Sequence, residues 1–313
     1  MLIVVALGGN ALIRRGEPMD QSVQQRNIAA AVSALAALAR QHQLVITHGN
    51  GPQVGLLALE QESATEARPY TLDVLGSETQ GMIGYLIEEA LRTALPDGEF
   101  ATLLTQVVVD VDDPAFHHPT KPIGPPYARE QAEALAAERG WRVAPDGDRY
   151  RRVVPSPEPR AIVELTAIRL LVAAGVTVVC AGGGGVPVML EPAGGWHGVE
   201  AVVDKDLTAA LLAIELNADR LLLLTDVSAV DESWGTPAAR PLRTISAAAL
   251  RLREFAPGTM GPKVDAACRF VEATGRAAAI GALDQATGAL DGSSGTTVVP
   301  GPASVVVYGH RAP

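Results

Sequence analysis

Residues 2–9 read LIVVALGG, an unbroken aliphatic run that stops at paired glycines. Because nothing alternates, both faces of this strand must be covered, as in a parallel sheet flanked by helices, and the glycines mark a tight turn at its end. From Asp20 to about Gln41, Val23, Ile28, Val32, Leu35 and Leu38 recur at helical spacing, with Asp20 placed to cap the helix. LVITHGNGP at 44–52 then repeats the opening pattern of buried strand and glycine loop. Helical stretches near 53–63 and 72–95 follow, and TLLTQVVVD at 102–110 reads as a further strand. This rhythm predicts an α/β fold on a mostly parallel sheet.

Between Pro114 and Pro159 the chain turns rich in proline, glycine and charge, with an amphipathic run at 128–139 and two short strand patterns near 141–154. A small lid that closes over substrate fits this composition, and so does an excursion without a catalytic part. The α/β rhythm then resumes with a helix at about 160–174, the strand VTVVC, the loop AGGGG and a helix from Lys205 to about Leu216. RLLLLTDV is another continuous apolar strand, followed by helices near 246–254 and 260–274, AAAIGAL, a short helix and GTTVVP. With no repeat and no low-complexity linker, the two halves are expected to share one sheet. Beyond Gly301, SVVVY has strand propensity and is expected either to pair at an edge or to be disordered.

The chain has 313 residues, 48% of them hydrophobic and only 4% aromatic, so its core must be built from Ala, Val, Leu and Ile. A net charge of −10 leaves no electrostatic footprint for nucleic acid or an anionic membrane. The two cysteines, Cys180 and Cys268, form neither a disulfide framework nor a metal-ligand cluster, and both are expected in the core. The opening run lacks a basic flank and is too short for a signal peptide or membrane span, so the expected setting is the cytoplasm.

Of 25 basic residues only three are lysines: Lys121 in PTKPIGP, Lys205 in VVDKD and Lys263 in PGTMGPK. Codon bias explains the scarcity but not these settings, each framed by Gly, Pro or Asp. A compact ammonium neutralises a migrating phosphoryl group as a point charge, without the forked geometry that a guanidinium imposes. Three glycine loops follow predicted strands, LGGNAL at 7–12, THGNGPQVG at 47–55 and AGGGGVPV at 181–188. Such loops lie at the carboxyl edge of an open sheet, where backbone N–H groups and helix N-termini meet anions. None is a P-loop or a dinucleotide fingerprint.

Asn10 and Asn50 hold equivalent places in the first two loops, either as turn residues or as donors and acceptors to a small planar substrate. His48 beside its glycine turn is expected to satisfy a local backbone group rather than bind a ligand. Asp204 and Asp206 flank Lys205 at a helix start, where one carboxylate can cap the helix or orient the lysine, and either can reach magnesium through water. Lys263, just after Gly261 and Pro262, sits where an ammonium can meet phosphate at a helix N-terminus.

Together these segments resemble the carbamate kinases of the amino acid kinase family. LGGNAL, HGNGPQVG, TQGMIGY, LTQVVVD, PTKPIGP, RRVVPSP, GGGGVPV, GVEAVVDKD and FAPGTMGPK occur in the order of that family and span about residues 3–299. The wider family commonly has a lysine in its first glycine loop, whereas this branch carries GGN there and places a lysine in a protruding lid; here these are Asn10 and Lys121.

The resemblance implies an open αβα sandwich with a small protruding lid, forming one amino acid kinase domain over 1–313. Residues 1–200 would form the acceptor lobe, with the lid at about 113–159, and residues 201–313 the nucleotide lobe. It further implies a homodimer and reversible transfer between ATP with Mg2+ and carbamate, giving ADP and carbamoyl phosphate, in arginine or purine-derivative catabolism. Carbamate contacts carry over to Gly8, Gly9, Asn10, Gly49, Asn50 and Gly51, and transferring-phosphoryl contacts to Lys121 and Lys205. Thr225, Asp226, Val227, Met260 and Lys263 fall to the nucleotide side together with Lys205, and Asp206 organises the lysines. No direct metal ligand is implied. One departure is Ala181 between Cys180 and the glycines, where the family often has cysteine directly before them, and this argues against a catalytic thiol. Two other readings share these features: a family kinase acting on a different carboxylate or phosphonate, and a nucleotide-binding regulator with weak catalysis.

Overall fold

The computed structural model describes residues 1–9, 12–13, 17–18, 20–63, 69–191, 194–234, 236, 239–255 and 260–307. The first half runs β1 (Leu2–Leu7), α1 (Gln21–Ala39), β2 (Gln43–His48), α2 (Gly51–Ser63), α3 (Leu72–Ala94), β3 (Phe100–Thr102) and β4 (Gln106–Val108). The lid follows as β5 (Lys121–Tyr127), α4 (Arg129–Arg139), β6 (Arg142–Asp146) and β7 (Arg149–Val154). Then come β8 (Ala161–Ile162), α5 (Leu165–Ala173), β9 (Thr177–Val179), β10 (Val186–Leu190), β11 (Trp196–Gly198) and α6 (Lys205–Glu215). The chain ends with β12 (Arg220–Thr225), β13 (Asp231–Glu232), β14 (Arg240–Ser246), α7 (Ala247–Arg251), α8 (Met260–Thr274), β15 (Ala278–Ala282), α9 (Ala286–Asp291), β16 (Thr296–Val299) and β17 (Val305–Val307).

The main sheet has ten strands in the order β13-β14-β16-β15-β12-β1-β2-β9-β3, with β17 paired to β14. β1 lies at its centre, parallel to both β12 and β2, so the two halves of the chain meet in one continuous sheet, as the sequence predicts. Ile3 through Leu7 are fully buried, as are Leu221 through Leu224 opposite them. That is why neither run alternates: one apolar layer covers each face. α6, α7 and α8 belong to one layer, with Ala209, Leu212, Cys268 and Phe270 packed against Val4 and Leu223. α1, α3 and α9 form the other, with Ile28, Leu35, Ile83 and Ile87 against Val5 and Leu222. Asp20 does cap α1, its side chain accepting from Val23 N at 2.9 Å.

Several boundaries differ from the sequence reading. The strand expected over 102–110 divides: β3 pairs with β9 in the main sheet, and β4 leaves for a four-stranded sheet, β11-β10-β4-β8. Thr105 makes the bend, because its backbone N–H donates to Gln80 Oε1 and its carbonyl accepts from Gln80 Nε2, each at 3.0 Å. The helix expected from 160 begins only at Leu165, since Ala161 and Ile162 pair with β4. β5, with Pro122, Pro125 and Pro126, carries no local strand signal, yet it pairs with β7 in the three-stranded lid sheet. Of SVVVY, Val305–Val307 form the antiparallel edge strand β17, while Tyr308 lies outside the described residues. Among the described residues no helix is long and apolar enough to cross a membrane.

Candidate active site

The carboxyl ends of β1, β2 and β12 converge beside the start of α6. Gly8 N donates to Leu224 O at 2.8 Å and Gly49 N to Leu7 O at 3.1 Å, which seals the first two glycine loops and the end of β12 edge to edge. A Cβ on Gly8 would stand 3.5 Å from Thr225 Cα, and one on Gly49 3.5 Å from Lys205 Cε. Thr225, Asp226 and Val227 therefore leave β12 next to the first loop, and Lys205 rises beside the second. The third loop closes the floor. Gly183 has φ +65°, and a Cβ there would lie 2.1 Å from Asn50 Nδ2, so only glycine lets the two loops approach this closely. Asn50 itself is buried and donates through Nδ2 to Thr79 Oγ1 at 2.8 Å.

The three lysines arrive from three separate segments and meet on two aspartates at the first turn of α6. Lys121, reaching in from the lid, donates to Asp204 Oδ2. Lys205 Nζ lies 2.6 Å from Asp206 Oδ1, and Lys263 Nζ, from the first turn of α8, lies 3.1 Å from Asp206 Oδ2. Asp204 Oδ1 accepts from Asp206 N at 2.9 Å, so one residue both caps the helix and holds the lid lysine. Asp204, Lys205 and Asp206 are all buried.

Burial governs the electrostatics of this cluster. By itself it pushes the Asp206 carboxyl up, but the ammonium groups of Lys205 and Lys263 overcome it and hold the group well below the usual carboxylate range. Asp204 is lowered in the same way, with Lys121 as the main counterweight to burial. Lys205 is pushed down to about 8 by burial, although Asp206 pulls it back. For Lys263 burial also opposes the charge, yet Asp206 wins and the ammonium is raised above its ordinary value. Three lysines thus meet two aspartates at a helix N-terminus, inside a chain of net charge −10.

His48 is buried, and its Nδ1 lies 3.1 Å from the Gly49 carbonyl, so Nδ1 carries the hydrogen and donates. The expected local role is the one observed. Met260 opens α8 and packs among the apolar residues beside it. Asn10 lies outside the described residues. Asp204, Thr79 and Gln80 carry more of the site than the sequence discloses. The helix-start position signalled Asp204 as a cap, but the partnership with Lys121 spans 83 residues and has no local signature. Among the described residues no group of three or more His, Cys, Asp or Glu side chains gathers to hold a metal.

Comparison with known proteins gives a consistent result. The Amino acid kinase family model matches residues 1–281. Carbamate kinase of Haemophilus influenzae is 50% identical over 299 residues, covering 95% of this chain and 96% of its own. The structure of carbamate kinase from Giardia lamblia bound to citric acid superposes with a TM-score of 0.91 at 38% identity, covering 96% of this chain and 98% of that one. A structure of the Giardia lamblia enzyme bound to AMP-PNP gives 0.85 at 38% identity, with the same coverage. This chain belongs to the amino acid kinase family, on its carbamate kinase branch.

Proposed function

We propose that this protein is a carbamate kinase, interconverting ATP plus carbamate with ADP plus carbamoyl phosphate. The observation that carries the proposal is the meeting of Lys121, Lys205 and Lys263 on Asp204 and Asp206 beside the two acceptor-side glycine loops. Carbamate oxygen is already anionic, so its attack on the γ-phosphorus of ATP needs no general base. As that P–O bond forms, the bond to the β-phosphate oxygen breaks and its electron pair leaves with ADP. The work left to the protein is alignment and neutralisation of charge on the transferring group.

In this reading Gly8, Gly9, Gly49, Asn50 and Gly51 present the acceptor, together with Asn10. Lys121 and Lys205 flank the transferring phosphoryl, and Asp206 orients Lys205 and Lys263. Lys263 faces the remaining nucleotide phosphates, with Thr225, Asp226, Val227 and Met260 on the same side. The acceptor lobe is residues 1–200 with its lid, and the nucleotide lobe residues 201–313. Both carboxylates of the cluster are already engaged by lysines, so that pair is not free to form a magnesium cage. Mg2+ would enter on the nucleotide phosphates, as hydrated magnesium usually does.

A homodimer is the proposed assembly, as the resemblance to the carbamate kinases implies. The cytoplasm is the proposed compartment, in keeping with two buried, unpaired cysteines. The deciding assay is ATP formation from ADP, Mg2+ and carbamoyl phosphate, with acetyl phosphate as a parallel donor. Turnover with carbamoyl phosphate alone is expected. Turnover with acetyl phosphate instead would move the protein to another acceptor, and nucleotide binding without turnover would make it a regulator.

A further inference from the structure

We propose that Glu62 is a positioning residue for phosphoryl transfer: by clamping the lid onto the far end of α2, it fixes where Lys121 stands. The inference rests on the role given to Lys121 under the proposed function, and it starts from a cluster well away from the lysines. Glu62 Oε2 lies 2.9 Å from Arg139 Nη1 and Glu62 Oε1 3.0 Å from Arg152 Nη1. The indole Nε1 of Trp141 donates to the same Oε1 at 3.2 Å. Both guanidinium groups also stack on the Trp141 ring, at 5.2 and 4.9 Å from its centroid. One carboxylate of the scaffold thus gathers side chains from the end of α4, the turn into β6, and β7.

This is more than a pair of solvated surface bridges, which contribute little. The side chains of Glu62, Arg139 and Arg152 are only 20%, 26% and 17% exposed, and each charge is held in a fixed fork or stack. Without the carboxylate, two guanidinium groups would remain against one ring with their shared anion gone; Arg152 would keep only a 3.9 Å approach to the half-exposed Glu200. The lid would then loosen at its outer edge.

The clamp acts along a stiff element. α2 begins at Gly51, in the acceptor loop, and Glu62 follows eleven residues later, about 16 Å along the axis at the usual helical rise. Midway, the backbone of β5 lies directly on the helix: a Cβ on Gly55 would fall 2.0 Å from Gly124 N and Cα. Gly124 stands three residues from Lys121. Near Gly51 the lid approaches again, since a Cβ there would meet Pro122 O at 4.0 Å. One helix therefore carries the acceptor loop at its start, β5 at its middle and the lid's outer edge at its end. The Glu62 cluster is the lateral fastening that keeps Lys121 aligned with that acceptor loop.

The test uses the full chain as wild type, Glu62→Gln, Lys121→Ala and the double variant, with Trp141→Phe as a milder second probe. Glu62→Gln keeps the shape of the side chain and removes its charge. We expect kcat for ATP formation to fall about tenfold with KM for ADP held within about twofold, because misplacement of a catalytic group costs rate rather than nucleotide affinity. In the Lys121→Ala background the same substitution should cost nothing further, since the position of an absent ammonium no longer matters. Trp141→Phe, which keeps one aromatic ring for the arginines but loses the indole N–H and the second ring, should fall between wild type and Glu62→Gln. Hydrogen exchange reads the clamp without catalysis: amides of 121–154 should exchange faster in Glu62→Gln, with those of the main sheet unchanged. Wild-type kcat in Glu62→Gln, an equal fold-loss in both backgrounds, or unaltered lid exchange would overturn the assignment. A wild type inactive with carbamoyl phosphate would defeat the proposed reaction instead, and lid exchange would still decide the clamp.

Discussion

Lys263 and Asp206 lie 57 residues apart in sequence and 3.1 Å apart in space, joining the first turn of α8 to the first turn of α6. The other oxygen of that carboxylate belongs to Lys205. One buried anion thus fixes the spacing of two cations that would otherwise repel. Asp206→Asn should therefore harm both stability and turnover. The amide must turn its NH2 toward one of the two ammonium groups, leaving a buried charge uncompensated, and the cost should be about 3–5 kcal/mol in urea unfolding. Turnover should fall about a hundredfold, as expected when preorganised charge is lost.

Lys205→Arg should be nearly as damaging to catalysis although it keeps the charge. The ammonium is held by Asp206, and Lys205 Cε lies 3.5 Å from where a Cβ on Gly49 would stand; a larger, forked guanidinium does not reproduce that compact point charge. A loss of about a hundredfold in kcat is expected, and near wild-type kcat would contradict the role of Lys205 as a point charge. In the wild type, kcat/KM should decline as pH rises through about 8, where burial leaves Lys205 ready to lose its proton. That limb should vanish in Lys205→Arg.

Gly183→Ala should disturb the acceptor side without touching a charged residue. The position combines φ +65° with a Cβ site inside van der Waals contact of Asn50. Displacing Asn50 from Thr79 should raise KM for carbamoyl phosphate several-fold more than KM for ADP, which steady-state kinetics will show.

His48 makes stability sensitive to mild acid. Burial lowers its pKa from 6.5 to about 4, so between those values the unfolded chain binds a proton that the native state does not. Stability from this group is intact above pH 6.5 and lost as pH falls toward 4, by on the order of 3 kcal/mol. Asp204 and Asp206, lowered from 3.8, act only below that window. Urea midpoints should drop from pH 6.5 to 4.5 in the wild type and drop less in His48→Gln.

Cys180 and Cys268 should not react with a thiol reagent in the native protein. Both are buried, and burial pushes their thiols up to about 12 and about 11. Titration with an aromatic disulfide should find no fast thiol before unfolding and two after it.

The parallel core, the glycine loops and the three lysines were all legible in the chain, because each is written in local terms: runs without alternation, glycines after strands, ammonium groups among glycine, proline and aspartate. The paired carboxylates were legible as neighbours of Lys205. Their division of labour was not. Asp204 serves the lid lysine and Asp206 serves Lys263, and these pairings span 83 and 57 residues. Nor does sequence announce that Leu103–Thr105 turn out of the main sheet, since the cause is the side chain of Gln80 on another helix. β5 was hidden for a similar reason: prolines erase its propensity, and its form comes from β7 and from the backbone of α2.

The sequence alone therefore determined the type of the main core elements and the chemistry available at the loop edge, because backbone conformation and side-chain periodicity there are settled over a few residues. Folding in three dimensions decided which charges meet and where the lid is fastened. Those outcomes depend on the distance between groups far apart in the chain, and burial makes the resulting contacts strong enough to matter.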